Sequence, residues 1–161
     1  MVNAMEKTMN RRDAVAKLLA ARDGALVVTG LGSPSYDVHA AGDRDDNYYL
    51  WGAMGGAALV GLGLAQAQPA KRIMVITGDG EQLMAFGALA TISVAAPKNL
   101  DIIVLDNQHF GETGMQTSHT GRGIDLHSIA AACGFTQTAC LRDLAEVDAL
   151  CETLRQASTG P

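Results

Sequence analysis

The chain alternates short apolar runs with amphipathic stretches, a pattern that predicts a parallel α/β fold. The clearest apolar run is β-branched, covers 73–77 and stops at a glycine turn. A second run, 102–105, stops at Asp106 and Asn107, and a helical pattern over 82–95 lies between the two. Strands joined through a helix are parallel, and parallel strands end at the same edge of the sheet. We therefore expect both turns at one edge, where open α/β sheets bind their ligands.

The rest of the pattern predicts further helices and strands around this unit. Asn10 and Asp125 are candidate N-caps, because their side chains can accept hydrogen bonds from free N–H groups at a helix start. Pro34 suits the first turn of another helix, where its missing N–H costs nothing. The predicted helices cover 8–21, 54–67, 126–132 and 143–156, the predicted strands 25–29 and 133–141, and the predicted surface loop 41–47. On helix 82–95, the positions expected in the core are Phe86, Leu89, Ile92 and Val94.

These elements predict a three-layer α/β/α fold with a mostly parallel central sheet. The chain has 161 residues and contains no internal repeat, low-complexity segment or linker. A chain of this length can bury a core of its own, so we expect one domain over 1–161, with its core at about 25–156. The small residues from Gly55 to Ala58 are expected to let a helix approach another subunit closely.

Composition narrows the possible functions. The net charge is −5 with 12 Lys and Arg residues, and the longest basic run is Arg11 and Arg12, so no nucleic-acid or anionic-membrane surface is indicated. The three cysteines form no CxxC pair, which favours reduced, buried thiols in a cytoplasmic protein. The N-terminus carries charges where a signal peptide needs an apolar core. The longest apolar stretch, 54–67, contains four glycines and is too short to span a bilayer.

The residues at the predicted sheet edge have the chemistry of a metal-bridged anion site. A strand that ends in glycine and opens a helix leaves unpaired N–H groups pointing at one place, which suits a phosphate. Asp79 lies in this turn, and a carboxylate repels an anion unless a cation lies between them. Asp79, the Asn107 amide and a backbone carbonyl just beyond it offer hard oxygen ligands, which suit Mg²⁺. The alternative is that these residues shape two βα turns and bind nothing.

The same residues carry a family resemblance. GDG at 78–80, followed after 25 residues by Asp106 and Asn107, resembles the signature of thiamine diphosphate enzymes. The segment 106–116, DNQHFGETGMQ, is similar to the equivalent loop of sulfopyruvate and phosphonopyruvate decarboxylases. Asp106 replaces the first Asn of the family pair, while Asn107 keeps the second position, which binds the metal. The resemblance implies the thiamin diphosphate-binding fold of a pyrophosphate (PP) domain. It further implies thiamine diphosphate and Mg²⁺ as cofactors, and Asp79, Asn107 and His109 as metal ligands.

The resemblance also assigns residues away from the metal. Gly30 resembles part of a turn that these decarboxylases place against the diphosphate, although a plain βα turn would look the same. Gly52 would present its carbonyl to the aminopyrimidine and Met54 would wedge beneath it, whereas a Met on a helix is ordinarily core. Glu81 belongs to the cofactor turn by position, but its carboxylate is expected to point away from the diphosphate. The implied cofactor-binding residues are Gly30, Ser33, Gly52, Met54, Gly78, Asp79, Gly80, Glu81, Asn107, His109, Phe110 and Gly111.

The loop over 109–120 carries the candidate catalytic residues. His109 and Glu112 are the polar groups expected to face the thiazolium ring, and each is equally compatible with a solvent-facing loop position. Glycines in and just after this loop indicate that it can move as a lid. Arg122 is either a cation for a second anionic group on the substrate or an ordinary surface charge.

The resemblance implies the β-type subunit of a split thiamine diphosphate- and Mg²⁺-dependent 2-oxo acid decarboxylase, most similar to sulfopyruvate decarboxylase. Phosphonopyruvate or another 2-oxo acid is the alternative substrate, and carboligation is the alternative reaction. The family activates its cofactor with a glutamate on a pyrimidine-binding domain, so a separate α subunit is expected to supply that group in a hetero-oligomer. Two other hypotheses are a non-catalytic thiamine diphosphate-binding module and a flavodoxin-like structural domain.

Overall fold

The computed structural model describes residues 9–156 and places a four-stranded sheet at their centre. Its strands are β1 (Leu26–Thr29), β2 (Asn47–Tyr49), β3 (Ile73–Gly78) and β4 (Leu100–Leu105), in the order β2-β1-β3-β4. All three strand pairs are parallel. A short antiparallel hairpin of β5 (His109–Phe110) and β6 (Gln116–Thr117) follows β4. The helices are α1 (Arg11–Ala20), α2 (Ser33–Ala41), α3 (Ala57–Ala67), α4 (Asp79–Met84), α5 (Ala88–Ala95), α6 (Leu126–Cys133) and α7 (Leu144–Gln156).

Helices cover both faces of the sheet. Alternate residues of a strand point to opposite faces, so Met74 and Ile76 belong to one buried cluster and Ile73 and Val75 to the other. The first cluster joins the sheet to α1, α2 and α7, and the second joins it to α3 and α5. Gly61 lets α3 lie close to the sheet, since a Cβ there would be 2.3 Å from Val75 Cγ2. The predicted three-layer α/β/α class with a parallel central sheet is confirmed.

The predicted N-caps and the predicted proline position agree with the structure. The Asn10 side chain accepts hydrogen bonds from the backbone N–H groups of Arg12 and Asp13, at 2.9 and 3.4 Å. Asp125 caps α6 by accepting from the backbone N–H of His127 at 3.2 Å. Pro34 lies in the first turn of α2. These caps satisfy donors that a helix cannot pair within itself.

The helix predicted over 82–95 is two helices. α4 begins at Asp79 itself, and the chain is irregular over 85–87 before α5 begins at Ala88. This break includes Gly87, a poor helix former. Phe86 is 48% exposed and Val94 is 90% exposed, so the prediction that they lie in the core is wrong. Leu89 and Ile92 are buried, and Val94 lies two positions after Ile92, on a different face of α5.

Three other element predictions are wrong in part. The strand predicted over 133–141 is absent from the described part of the chain, and Cys133 is instead the last residue of α6. The end of the predicted loop 41–47 runs into β2, where two tyrosines suit a strand. The helix predicted over 54–67 begins only at Ala57. Ala57 and Ala58 pack into the protein's own core cluster, so they are not available to another subunit.

The cysteines are free thiols in different environments. Cys151 is buried, Cys133 is partly buried and Cys140 is exposed, so the expectation of buried thiols is wrong for Cys140. Within residues 9–156, no helix has both the length and the apolar character that crossing a membrane requires.

Candidate functional site

Asp79 is a buried carboxylate at the end of β3. It is the first residue of α4 and is only 2% exposed, because the chain turns into the helix at the sheet edge. The Ser118 hydroxyl, from the segment after β6, donates a 2.5 Å hydrogen bond to Asp79 Oδ2. The Thr120 hydroxyl lies 3.2 Å from the same oxygen. Both contacts use Oδ2, so within the described residues Oδ1 is the carboxylate oxygen left for another ligand.

The register of the sheet places a second carboxylate near Asp79. β3 pairs with β4 up to Gly78 and Leu105, so Asp79 and Asp106 leave adjacent strands at the same level. The Thr120 hydroxyl lies 2.8 Å from Asp106 Oδ1 and 3.2 Å from Asp79 Oδ2. Its single proton can be donated to only one of them at a time. Two carboxylates brought this close favour a bound cation at the sheet edge.

The chain leaves β4 in a tight turn that presents Asn107. The backbone N–H of Gln108 donates to Asp106 Oδ1 and that of His109 donates to Asn107 Oδ1, both at 2.9 Å. These bonds stabilise a left-handed backbone at Gln108, where φ is 63°. His109 Nδ1 lies 2.9 Å from the Asn107 carbonyl oxygen and must donate to it, because a carbonyl only accepts. His109 therefore keeps Nε2 and its backbone carbonyl for other partners.

The donor atoms at this edge fit Mg²⁺ held together with a diphosphate. No group of three or more His, Cys, Asp or Glu side chains within residues 9–156 could hold a metal ion by itself. The predicted ligands Asp79, Asn107 and His109 would therefore combine carboxylate, amide and backbone oxygens with oxygens from a bound ligand. Mg²⁺ is commonly bound in this way, by one or two carboxylates and substrate phosphates.

The turn after β1 lies at the same edge and meets the loop of the hairpin. Ser35 Oγ donates to the Gly30 carbonyl at 2.7 Å, which fixes the turn. Ser33 Oγ donates to Glu112 Oε1 at 3.4 Å, and a Cβ on Gly32 would lie 2.6 Å from that oxygen. Glu112 is exposed and thus extends over the turn from the rim of the site.

Gly52 and Met54 lie on an open side of this region. Gly52 is exposed and has a φ of 77°, a backbone conformation that favours glycine. Met54 is 39% exposed, so the alternative that it fills the core is wrong. A Cβ on Gly55 would lie 3.4 Å from Met84 Cβ, which places this segment against the end of α4.

Phe110 packs directly on the GDG turn. A Cβ on Gly80 would lie 2.6 Å from the Phe110 ring, so a side chain at Gly80 would displace it. A Cβ on Gly78 would meet no other described residue within 4 Å, so the turn is open on that side. Gly111 follows Phe110, and a Cβ there would lie 3.9 Å from Asn107 Nδ2. The hairpin thus covers one side of the turn and leaves the other accessible.

Sequence reasoning missed two buried hydroxyls and the hydrogen-bond partners of one carboxylate. Ser118 and Thr120 follow a polar, glycine-containing loop, and nothing in their local sequence distinguishes them from surface residues. Their burial, at 0% and 7% exposure, and their hydrogen bonds to Asp79 show that they belong to the site. Glu81, predicted to point away from the diphosphate turn, is buried and accepts hydrogen bonds from two neighbouring turns.

A known family matches this arrangement. The family described as thiamine pyrophosphate enzyme, C-terminal TPP binding domain, matches residues 34–161. The chain belongs to this family, which confirms the resemblance carried by the GDG turn and the end of β4. Its domain is therefore of the kind that binds thiamine pyrophosphate, also called thiamine diphosphate.

The sequence relatives include decarboxylases of two kinds. The chain is 44% identical to sulfopyruvate decarboxylase from Methanosarcina acetivorans, over 81% of this chain and 34% of that protein. It is 41% identical to sulfopyruvate decarboxylase subunit beta from Methanocaldococcus jannaschii, over 68% of this chain and 57% of that subunit. It is 42% identical to phosphonopyruvate decarboxylase from Streptomyces viridochromogenes, over 92% of this chain and 37% of that protein. The chain thus spans between a third and three fifths of the length of these relatives.

Solved structures agree with the fold. Benzoylformate decarboxylase from Polynucleobacter necessarius matches with a TM-score of 0.79 at 14% identity. The match covers 94% of this chain and 31% of that one. At this identity the likeness shows the fold alone, which is the thiamine diphosphate-binding α/β/α fold predicted from the sequence.

Proposed function

We propose that the chain is the β-type subunit of a thiamine diphosphate- and Mg²⁺-dependent decarboxylase of 2-oxo acids. The observation that carries the proposal is the buried Asp79 carboxylate, which contacts two hydroxyls at the edge where β3 and β4 end. Burying a carboxylate is costly unless a cation or sufficient hydrogen bonds compensate it. A divalent cation at Oδ1 explains why it is there. Family membership supports thiamine diphosphate as the anion that this cation would bridge.

Asp79 and Asn107 are the proposed side-chain ligands of Mg²⁺, with the backbone carbonyl of His109 as a third oxygen. Ser118 holds Oδ2 and so orients Oδ1, as residues around metal ligands commonly do. The turn at 78–80 would offer its backbone N–H groups to the diphosphate. Phe110, packed on Gly80, would keep water from that side of the turn.

The other proposed cofactor contacts come from two further turns and from the hairpin loop. Gly30 and Ser33 would border the diphosphate, and Gly52 and Met54 would support the aminopyrimidine. When bound, thiamine diphosphate supplies a nucleophilic carbon and an electron sink for the loss of CO₂. His109 and Glu112 lie on the loop at the rim and are the proposed groups that exchange protons with the substrate. Gly111 continues this loop beside Asn107.

A separate pyrimidine-domain subunit is the proposed partner. Large apolar side chains near the cofactor turns are exposed, and such exposure at a rim commonly marks an interaction surface. Trp51, next to Gly52, is the most exposed of them at 89%. Two curated relatives that cover most of this chain bear the name subunit beta, which supports a subunit arrangement. The exposed side chains are Tyr48, Trp51, Met54, Met84, Phe86 and Met115.

The proposed substrate is a 2-oxo acid with a second anionic group. Sulfopyruvate is the first candidate and phosphonopyruvate the second, because relatives named for each are similarly identical to this chain. The net charge of −5 gives no reason to propose a nucleic-acid partner. The free cysteines fit a reducing compartment, so we place the protein in the cytoplasm.

Co-expression with a candidate α subunit tests the proposal. The purified complex would be given thiamine diphosphate and Mg²⁺, and CO₂ release would be measured with sulfopyruvate, phosphonopyruvate and pyruvate. We expect the two dianionic substrates to react and pyruvate to react at least about tenfold more slowly, because the second acid group contributes binding energy. Release that requires both subunits and Mg²⁺ would support the split-enzyme proposal.

Two results would contradict it in different ways. Tight, Mg²⁺-dependent binding of thiamine diphosphate without CO₂ release, in complexes that contain the activating glutamate, would favour a non-catalytic binding module. No Mg²⁺-dependent rise in the thermal unfolding temperature on adding thiamine diphosphate would remove the cofactor site itself.

A further inference from the structure

Glu81 is a buried carboxylate that contacts two turns distant from it in sequence. It lies in the first turn of α4 and is 3% exposed. Its Oε2 accepts a 2.9 Å hydrogen bond from the backbone N–H of Leu31, in the turn after β1. Its Oε1 accepts from the backbone N–H groups of Gly55 and Ala57, at 3.3 and 3.4 Å. One side chain thus receives three backbone donors from two separate segments.

These donors are what compensate the charge of Glu81. None of the ion pairs within residues 9–156 includes Glu81, so no described cation neutralises it directly. A buried carboxylate needs such hydrogen bonds to be tolerated. The contact also serves the partner segment, because Ala57 is the first residue of α3 and its N–H has no acceptor within the helix. Gly56, at the N-cap of α3, contributes no side-chain bond.

We propose that Glu81 is a positioning residue that fixes the mutual placement of three turns. These are the turn after β1, the turn before α3 and the turn at 78–81. Glu81 binds backbone groups rather than the cofactor, so its place among the predicted cofactor contacts is replaced by an indirect role. That these turns bind thiamine diphosphate rests on the proposed function. That Glu81 holds the turns together does not depend on that function.

The fit between Glu81 and Gly30 supports this role. A Cβ added to Gly30 would lie 1.8 Å from Glu81 Oε2, far inside van der Waals contact. The turn can therefore come this close to the carboxylate only while residue 30 is glycine. This gives two independent ways to disturb the same contact: Glu81→Gln, which removes the charge, and Gly30→Ala, which displaces the carboxylate.

Amide hydrogen exchange on the full chain tests the link directly. In the wild type we expect slow exchange at Leu31, Gly55 and Ala57. Glu81→Gln should accelerate all three by about tenfold or more, because a bond to a charged acceptor is lost and the new amide N–H₂ faces other donors. Gly30→Ala should accelerate the same three sites with Glu81 still present. Glu146→Gln is the matched control, since the exposed Glu146 carboxylate accepts a hydrogen bond from the backbone N–H of Arg142 at the start of α7.

Cofactor affinity gives the second readout. With Mg²⁺ present, the Kd of thiamine diphosphate should rise about tenfold in Glu81→Gln and stay unchanged in Glu146→Gln. Unchanged exchange at the three amides in both Glu81→Gln and Gly30→Ala would overturn the proposal. An exchange effect in Glu81→Gln that leaves cofactor affinity at the wild-type value would support the link between the turns and overturn its role in cofactor binding. If Glu81→Gln does not fold, amide exchange in Gly30→Ala decides whether Glu81 links the turns, because Gly30 is itself a proposed cofactor contact and its affinity readout would be ambiguous. If the wild type binds no cofactor, the proposed function fails while the exchange data still decide whether Glu81 links the turns.

Discussion

The hydroxyl of Ser118 donates a 2.5 Å hydrogen bond to the carboxylate of Asp79, from 39 residues further along the chain. Both side chains are buried, Ser118 at 0% and Asp79 at 2% exposure. The bond connects the segment after the hairpin to the first turn of α4, and it occupies Oδ2 only. It therefore orients the carboxylate so that Oδ1 is available for a metal ion. The proposed metal chemistry of Asp79 depends on this orientation as well as on its charge.

Replacing Asp79 with alanine should abolish Mg²⁺-dependent binding of thiamine diphosphate. The substitution removes the only charged side chain among the three proposed ligands. Isothermal titration with thiamine diphosphate, with and without Mg²⁺, measures the effect. Asp148→Ala is the matched control, because Asp148 is an exposed residue of α7 that pairs with Lys17 at 2.6 Å, away from the cofactor turns. Full-strength binding by the Asp79→Ala protein would remove Asp79 from the site.

Replacing Ser118 with alanine should weaken both stability and metal-dependent binding. It leaves a buried carboxylate with one donor fewer, which costs about 1–3 kcal/mol. Thermal unfolding would show the loss of stability, and titration of thiamine diphosphate would show a higher requirement for Mg²⁺. Thr91→Ala is the control, since the Thr91 hydroxyl is exposed and bonds only the Gly87 carbonyl within its own helix. Equal unfolding temperatures for the Ser118 and Thr91 variants would contradict this account.

The parts of the fold that were predictable have strong local signals. The run 73–77 is apolar and ends in glycine, so both its strand and its turn followed from the sequence, as did the parallel neighbour that ends at Asp106. The break between α4 and α5 was missed because the apolar spacing of a helix continues across 85–87. The strand predicted over 133–141 did not form, because a strand needs a partner edge, which local sequence does not specify.

The residues of the candidate site also fall into those that local sequence predicted and those that it did not. Asp79 and Asn107 were found because glycine and Asx residues at strand ends have recognisable turn chemistry. Ser118 and Thr120 were missed because their role depends on where the hairpin folds back, a long-range contact. The hydrogen-bond partners of Glu81 were missed for the same reason, since the backbone N–H groups that donate to it belong to Leu31, Gly55 and Ala57.

Trp51 should be a major contact for the α subunit. It is 89% exposed beside Gly52, and a buried aromatic residue at an interface commonly contributes about 2 kcal/mol or more. Trp51→Ala should therefore raise the Kd of the subunit complex about 30-fold. Sedimentation of the mixed subunits would measure this. Val94→Ala is the control, because Val94 is equally exposed, at 90%, and lies near the C-terminal end of α5. Identical dissociation constants for the two variants would place the interface elsewhere.

The three thiols should react with a thiol reagent at clearly different rates. Cys140 is exposed, whereas burial raises the pKa of the Cys151 thiol, and the thiolate is the reactive form. At pH 8 we expect Cys140 to react first, partly buried Cys133 next, and Cys151 only when the protein unfolds. Time-resolved labelling followed by peptide mass analysis would assign each step. Loss of the fast step in Cys140→Ser is the control, and early labelling of Cys151 would contradict its packing against α1.

Asp125 should make the start of α6 sensitive to acid. Its carboxylate accepts a 2.8 Å hydrogen bond from the Ser128 hydroxyl, and this bond, followed by contacts with His127, holds the pKa of Asp125 below its ordinary value. A group whose pKa is lower in the folded state stabilises the fold above its unfolded-state pKa of about 3.9. That contribution declines as the pH falls below this value and is lost once the pH passes the folded-state pKa.

Asp125→Asn keeps the capping oxygen but cannot titrate, so the wild type should be more stable than this variant near neutral pH and equally stable in acid. Ser128→Ala should bring the folded-state pKa of Asp125 back towards its ordinary value and make the pH-dependent part of the stability smaller, because it removes the main cause of the shift. Thermal unfolding of the three proteins between about pH 2 and 7 would measure this, and a stability difference that does not change with pH would show that the charge of Asp125 has no part in capping α6.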